Sequence, residues 1–460
     1  MDAPRRRLFD HPAPEAVSGP RPVPPLASPT AAAQARHDAA YEHICHRLMD
    51  LVDFVAAPPE ARLEARPMGA RARLREAVAG IIDTDSALIL NAAEREALIA
   101  EVVADVGGYG PLEPLLADED VTEIMVNTHQ AVFVERRGRI VRTDVRFRSE
   151  EALLRVCRKM AEGVGRRVDS FTPTCDARLP DGSRINIVVP PIAVDGTHLT
   201  IRKFRRETLS LDDLVALSSL TPEAADVLRI IGRSPLNVLI AGGTGSGKTT
   251  LLNCLSASID PAERIITCED TAELQLRQDN VVRLETRPAS TEGTAAVAMR
   301  DVLRNALRMK PNRVIVGEVR GAEALDLIQA MNIGHAGSMG TIHANDPRGA
   351  LSRLETCMRE NISLQAASSA HIQRLLADCL NILVQTQQLH GGRRVVTHIC
   401  EVTGMTGDRV ALNDLFVFDF RAGCLRRVPG AEPGFLFQAE QVGEGDNLVA
   451  ALRRAEDAPC

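Results

Sequence analysis

Residues 242–249 read Gly-Gly-Thr-Gly-Ser-Gly-Lys-Thr, a glycine-rich loop ending in a lysine and a hydroxyl residue. The apolar run 236–241 precedes it and an apolar helical stretch, 250–255, follows. This is GxxxxGK[ST] in the strand, loop and helix setting that phosphate chemistry requires. Gly242, Gly243, Gly245 and Gly247 free the backbone to turn successive N–H groups, with those of Thr244, Ser246 and Thr250, around a β-phosphate. The helix N-terminus adds partial positive charge. Lys248 supplies a cation for the β- and γ-phosphates, and the Thr249 hydroxyl is a ligand for Mg²⁺. The predicted ligands are therefore ATP and Mg²⁺.

Two carboxylates follow strand-like runs. Residues 264–268 end in Glu269-Asp270, and 313–317 end in Glu318. Carboxylates at the C-terminal ends of parallel strands face the crevice where such sheets bind ligands. One can hold the Mg²⁺ shell, directly or through water, and the other can orient or deprotonate the attacking water. Glu318 is the metal-side candidate, yet either residue fits the role of base. His335 and His343 flank the apolar run of 334–345; His343 is placed to sense a γ-phosphate or Glu318. No cysteine or acidic spacing supports zinc there.

Several elements must position these groups. Residues 1–33 combine seven prolines from Pro12 to Pro29 with few large apolar side chains, which predicts a disordered tail. Over 34–107 apolar residues recur at helical spacing (Ile44, Leu48, Leu51, Val52, Val55, Leu74, Val78, Ile81, Ile82), marking an amphipathic helical region. Short β-rich runs over 108–205, divided by turns such as Pro180-Asp181-Gly182, predict a compact α+β domain. A linker is expected over 206–220. Alternating apolar strands and helices over 221–390 predict a parallel α/β ATPase domain. Residues 391–460 read as a small C-terminal subdomain and tail.

Composition narrows the class. The chain has 460 residues, 45% of them hydrophobic and 25% charged, and a net charge of -7. That balance disfavours a nucleic-acid footprint, and 3% aromatics with no Trp leave few stacking platforms. Ten cysteines without a CxxC pair read as reduced core thiols. Arg5-Arg6-Arg7 precedes Pro/Ala-rich sequence rather than an apolar signal core, and no run of about 18 apolar residues occurs. A cytoplasmic protein without direct membrane insertion is expected.

The phosphate loop, Glu269-Asp270-Thr271-Ala272-Glu273-Leu274, Gly317-Glu318-Val319-Arg320-Gly321 and the run 334–345 occur in the order and spacing of the loop, Asp box, Walker B and His box of the type II/IV secretion ATPase superfamily. Upstream, Tyr109-Gly110-Pro111-Leu112-Glu113-Pro114, Arg178-Leu179-Pro180-Asp181-Gly182-Ser183-Arg184 and Leu199-Thr200-Ile201-Arg202-Lys203-Phe204 resemble the branch serving tight-adherence (Flp) pili, the CpaF/TadA kind. The resemblance covers roughly 105–420. It departs from the usual pattern at Asn312, Ala336 and Gly340.

This resemblance implies a RecA-like P-loop domain preceded by a smaller, PAS-like α+β domain. It further implies a homohexameric ring, with Arg184 and Arg202 reaching the phosphates as arginine fingers when the domains close. The expected function is an ATP-hydrolysing motor for a tight-adherence pilus, peripheral at the inner membrane through a platform protein. The alternatives are a type IV secretion ATPase exporting protein or DNA and, from another class, a nucleotide-switched scaffold without turnover. Glu269, Glu318, Arg184 and Arg202 together disfavour the scaffold, and the catalytic candidates are these four with His343.

Overall fold

The structure is a computed structural model describing residues 31–50, 67–204, 209–287 and 295–457. Most of the expected tail, Leu51, Val52 and Val55 of the helical region, and 205–208 at the linker lie outside the described residues. The chain forms two compact units, 1–110 and 111–460.

In the first unit the helices Ala31–Asp50, Pro67–Thr84 and Ala92–Gly107 pack around Ile44, Val78, Ile81, Leu98 and Val102, following the apolar spacing of the sequence. Asn91 and Glu94 form a reciprocal cap at the start of the third helix.

The second unit contains two sheets. The first joins β1 (Val121–Thr128), β2 (Ala131–Arg136), β3 (Arg139–Arg142), β4 (Thr174–Arg178), β5 (Arg184–Val188) and β6 (His198–Arg202) in the order β3-β2-β1-β6-β5-β4. All its pairings are antiparallel. The helix Glu150–Glu162, capped by Ser149, buries Leu153, Val156, Cys157 and Met160.

The second sheet has nine strands. Six are parallel, in the order β12 (Ile382–Gln388), β7 (Val238–Gly242), β11 (Met339–His343), β10 (Arg313–Val319), β8 (Ile265–Glu269) and β9 (Val281–Glu285). β7 and β8 are buried along their whole length, as expected where helices cover both faces.

Two expected boundaries change. β13 (Arg394–Thr406), β14 (Arg409–Asp419) and β15 (Cys424–Arg427) extend the same sheet antiparallel from β12. Val396, Ile399, Phe416 and Phe418 share the core of Leu252 and Val238, so the described residues from 391 to 457 form no separate subdomain. The expected linker carries the helix Leu211–Ala216, because Ser210 and Asp213 cap it and Leu211, Leu214 and Leu220 are buried. Eight described cysteines are free thiols, seven of them buried.

Candidate active site

The phosphate loop leaves β7 and enters the helix Lys248–Ser256 through Gly247, at φ +95. No side chain caps that helix, so its first amides keep their donor capacity for an anion. Gly242 is demanded by packing: a Cβ there would meet Ser246 Oγ and Thr386 Oγ1 at 2.4 Å. Those two hydroxyls are 2.9 Å apart, so β12 braces the loop from beneath. These features fit a bound polyphosphate.

Lys248 is buried, and its Nζ donates to the carbonyls of Gly242 (3.1 Å) and Gly243 (2.8 Å). Burial lowers its pKa, partly offset by Glu318. Behind it lies a charged chain. His343 Nε2 stands 3.4 Å from Lys248 Nζ and 3.0 Å from Glu318 Oε1. Arg320 donates to Glu318 Oε2 at 2.7 Å and approaches Asp270 at 3.4 Å. Burial raises the Glu318 pKa, but the hydrogen bond and charge of Arg320, then His343 and Lys248, outweigh it and hold the carboxyl below its ordinary range. Burial and then Lys248 depress His343 below its ordinary value, against the pull of Glu318.

β10 and β11 place Glu318 and His343 side by side because they are parallel neighbours, further tied where Thr341 Oγ1 donates to the Gly317 carbonyl at 2.6 Å. Just beyond β11, Asp346 caps the helix Pro347–Arg359, and Gln385 Nε2 holds the Ala344 carbonyl at 3.1 Å.

Glu269 has different company. It is 2% exposed; Oε2 accepts from the Glu273 and Leu274 amides at 2.7 and 2.8 Å, and Oε1 accepts from Thr267 at 3.2 Å. Burial raises its pKa against those hydrogen bonds. Its hydrogen bonds thus fix the 273–274 backbone, not the Lys248 cluster.

Arg184 and Arg202 face the loop across a cleft of about 420 Å³ whose lining includes Lys248, Thr249, Thr250 and Glu273. Neither Glu269, Glu318 nor His343 lines it. Arg184 donates to Glu273 Oε1 at 3.2 Å, and Arg202 lies 3.7 Å from the same oxygen.

Comparison with known proteins places the chain in a family. The type II/IV secretion system protein family matches residues 105–427. The chain belongs to that family. A Mycobacterium tuberculosis protein named provisionally for conjugal transfer is 36% identical over 333 residues, 68% of this chain and 94% of its own. The type IV secretion system protein PtlH of Bordetella pertussis is 35% identical over 314 residues, 63% of this chain and 92% of its own. Among solved structures, the VirB11 ATPase of the Brucella suis type IV secretion system is 31% identical over 63% of this chain and 94% of its own, with a TM-score of 0.35.

Within this secretion-family chain, two of the three sequence departures sit in defined contacts, and nothing in the structure explains Ala336. Asn312 Oδ1 accepts from the Arg264 amide at 2.8 Å, and a Cβ on Gly340 would meet Leu327 at 3.0 Å. His335 is bound to the Pro311 carbonyl at 3.0 Å, a structural contact. Sequence reasoning did not assign Glu273, Arg320 or Arg394. The first two lie inside the matched motifs, so motif membership was a usable signal. Arg394 lies far along the chain, and only folding brings it to the loop.

Proposed function

We propose that this protein is an ATP-hydrolysing motor of the secretion family. The observation carrying this reading is that Arg184 and Arg202 share one cleft with Lys248 and Thr249, although they belong to the α+β domain and lie upstream of the linker and of the loop's own domain. In this reading the loop amides and Lys248 hold the phosphates. Glu318, ionised at neutral pH, orients the attacking water and accepts its proton, while His343 connects that carboxylate to Lys248. Glu269 acts as a positioning residue through the 273–274 backbone. Thr249 and the substrate oxygens would hold Mg²⁺, with Glu318 reaching it through water. When bound, Mg²⁺ neutralises charge developing on the phosphates. Arg184 and Arg202 neutralise the remainder, which couples hydrolysis to movement of the α+β domain.

The motif resemblance favours assembly of a tight-adherence pilus by a cytoplasmic hexamer that grips an inner-membrane platform protein. No helix among the described residues is long and apolar enough to cross a membrane, so contact with that membrane would run through the partner. The names of PtlH and the mycobacterial relative favour a second reading, a type IV secretion ATPase. Deletion of the gene in its host separates the two: loss of surface fibres supports the first, loss of protein or DNA export the second. For the chemistry, Lys248→Ala should lose ATP binding and turnover. Arg184→Ala and Arg202→Ala should lose turnover far more than affinity, up to ~10³-fold. Unchanged rates in all three would remove the site.

A further inference from the structure

One face of the six-stranded sheet carries a continuous charged row. In register across five strands stand Glu135 (β2), Glu123 (β1), Arg202 (β6), Arg184 (β5) and Arg178 (β4). Cross-strand partners project from the same face of a sheet, so this row presents two carboxylates followed by three guanidiniums. The ATPase domain answers with opposite charge. Arg394 pairs with Glu135 at 2.9 Å, Glu273 faces Arg202 and Arg184, and Glu285 faces Arg178 at 3.5 Å.

In the middle of this seam one carboxylate is divided between two arginines. A single oxygen, Glu273 Oε1, serves both arginines, at 3.2 and 3.7 Å, so neither guanidinium gains the two parallel bonds that its planar fork can make. The arginine side chains are 37% and 52% exposed, a setting in which ion pairs contribute little and exchange readily. The backbone that carries this carboxylate is held in place, because the Glu273 amide donates to Glu269 at 2.7 Å. A terminal phosphate entering the same cleft offers several anionic oxygens to both forks.

We propose that Glu273 is an exchangeable counter-ion that engages Arg184 and Arg202 in the cleft and competes for them with the terminal phosphate of a nucleoside triphosphate. The carboxylate sets the concentration of triphosphate at which the arginines transfer. It thereby favours triphosphate over diphosphate as the trigger, since only the former reaches both forks. The inference rests on the proposed role of the two arginines in the ATP site.

The test is a binding cycle on the full chain with Glu273→Gln, titrating ATPγS and ADP by calorimetry, alongside KM for ATP. With the competitor neutralised, ATPγS affinity should rise on the order of 3- to 10-fold, KM should fall in parallel, and ADP affinity should change by less than about twofold. The gain should vanish in an Arg184→Ala/Arg202→Ala background. Glu273→Asp, which withdraws the carboxylate while keeping its charge, should shift ATPγS affinity in the same direction and guards against a folding defect. Unmoved ATPγS affinity with reduced kcat would overturn the inference and make Glu273 an orienting group for the arginines. Because ATPγS binding is read without turnover, a chain that shows the cycle yet never hydrolyses ATP sinks the motor reading and leaves this inference standing.

Discussion

Arg394 Nε donates to the carbonyl of Gly245, inside the phosphate loop, at 2.6 Å. Its Nη2 donates to Glu135 of the α+β domain at 2.9 Å, so one side chain connects the loop to the neighbouring domain. Arg394→Ala should therefore weaken ATP affinity, by about 3- to 10-fold for a partly exposed charged contact. Glu135→Gln should reproduce part of the loss, and the double variant should lose less than the sum. Nucleotide titrations of the four proteins check this; additive losses would show that the bridge couples nothing.

The two motif carboxylates should separate. Glu318→Gln should bind ATP yet hydrolyse it slower by roughly 10²–10⁴-fold. Glu269→Ala strands two amides in a buried setting and should cost about 2–4 kcal/mol of stability, read from denaturant midpoints. Similar stability losses in the two variants, with similar residual turnover, would contradict the division of roles.

His343 should titrate below about 6.5, the ordinary imidazole value, because burial and then Lys248 disfavour its cation. Lys248→Met should raise its midpoint, and Glu318→Gln should lower it further. Since the folded state binds the proton less tightly than the unfolded chain, the stability contributed by neutral His343 is present above the unfolded value and declines as pH falls through the folded one. Imidazole NMR titrations decide the matter, and a wild-type midpoint above 6.5 would count against the cluster.

Gly337 lies over the buried Arg313, whose guanidinium bonds Glu263 and the Gly232 and Arg233 carbonyls. A Cβ on Gly337 would sit 2.8 Å from Arg313 Cζ, and its φ of +89 already disfavours any side chain. Gly337→Ala should thus destabilise the protein by about 2–4 kcal/mol. Thermal unfolding tests it; a variant as stable as the parent would show that Arg313 can move aside.

The sequence by itself determined the phosphate loop, the strand-end carboxylates and the division into helical, α+β and parallel-sheet regions. Each is written locally: glycine spacing sets a loop, apolar period sets a helix or strand, and a carboxylate closing an apolar run marks the C-terminal end of a strand. Only tertiary structure decided which of these groups meet. Glu269 and Glu318 follow similar strands, yet β8 turns one toward the backbone of 273–274, while the parallel pairing of β10 with β11 places the other against His343. The assignment of β13–β15 to the ATPase sheet rests on β12 pairing on both sides, with β7 and with β13. The approach of Arg184, Arg202 and Arg394 to the loop depends likewise on contacts between residues separated by tens to hundreds of positions. Sequence spacing carries no record of such contacts, because their energy comes from packing and charge between domains and not from local periodicity.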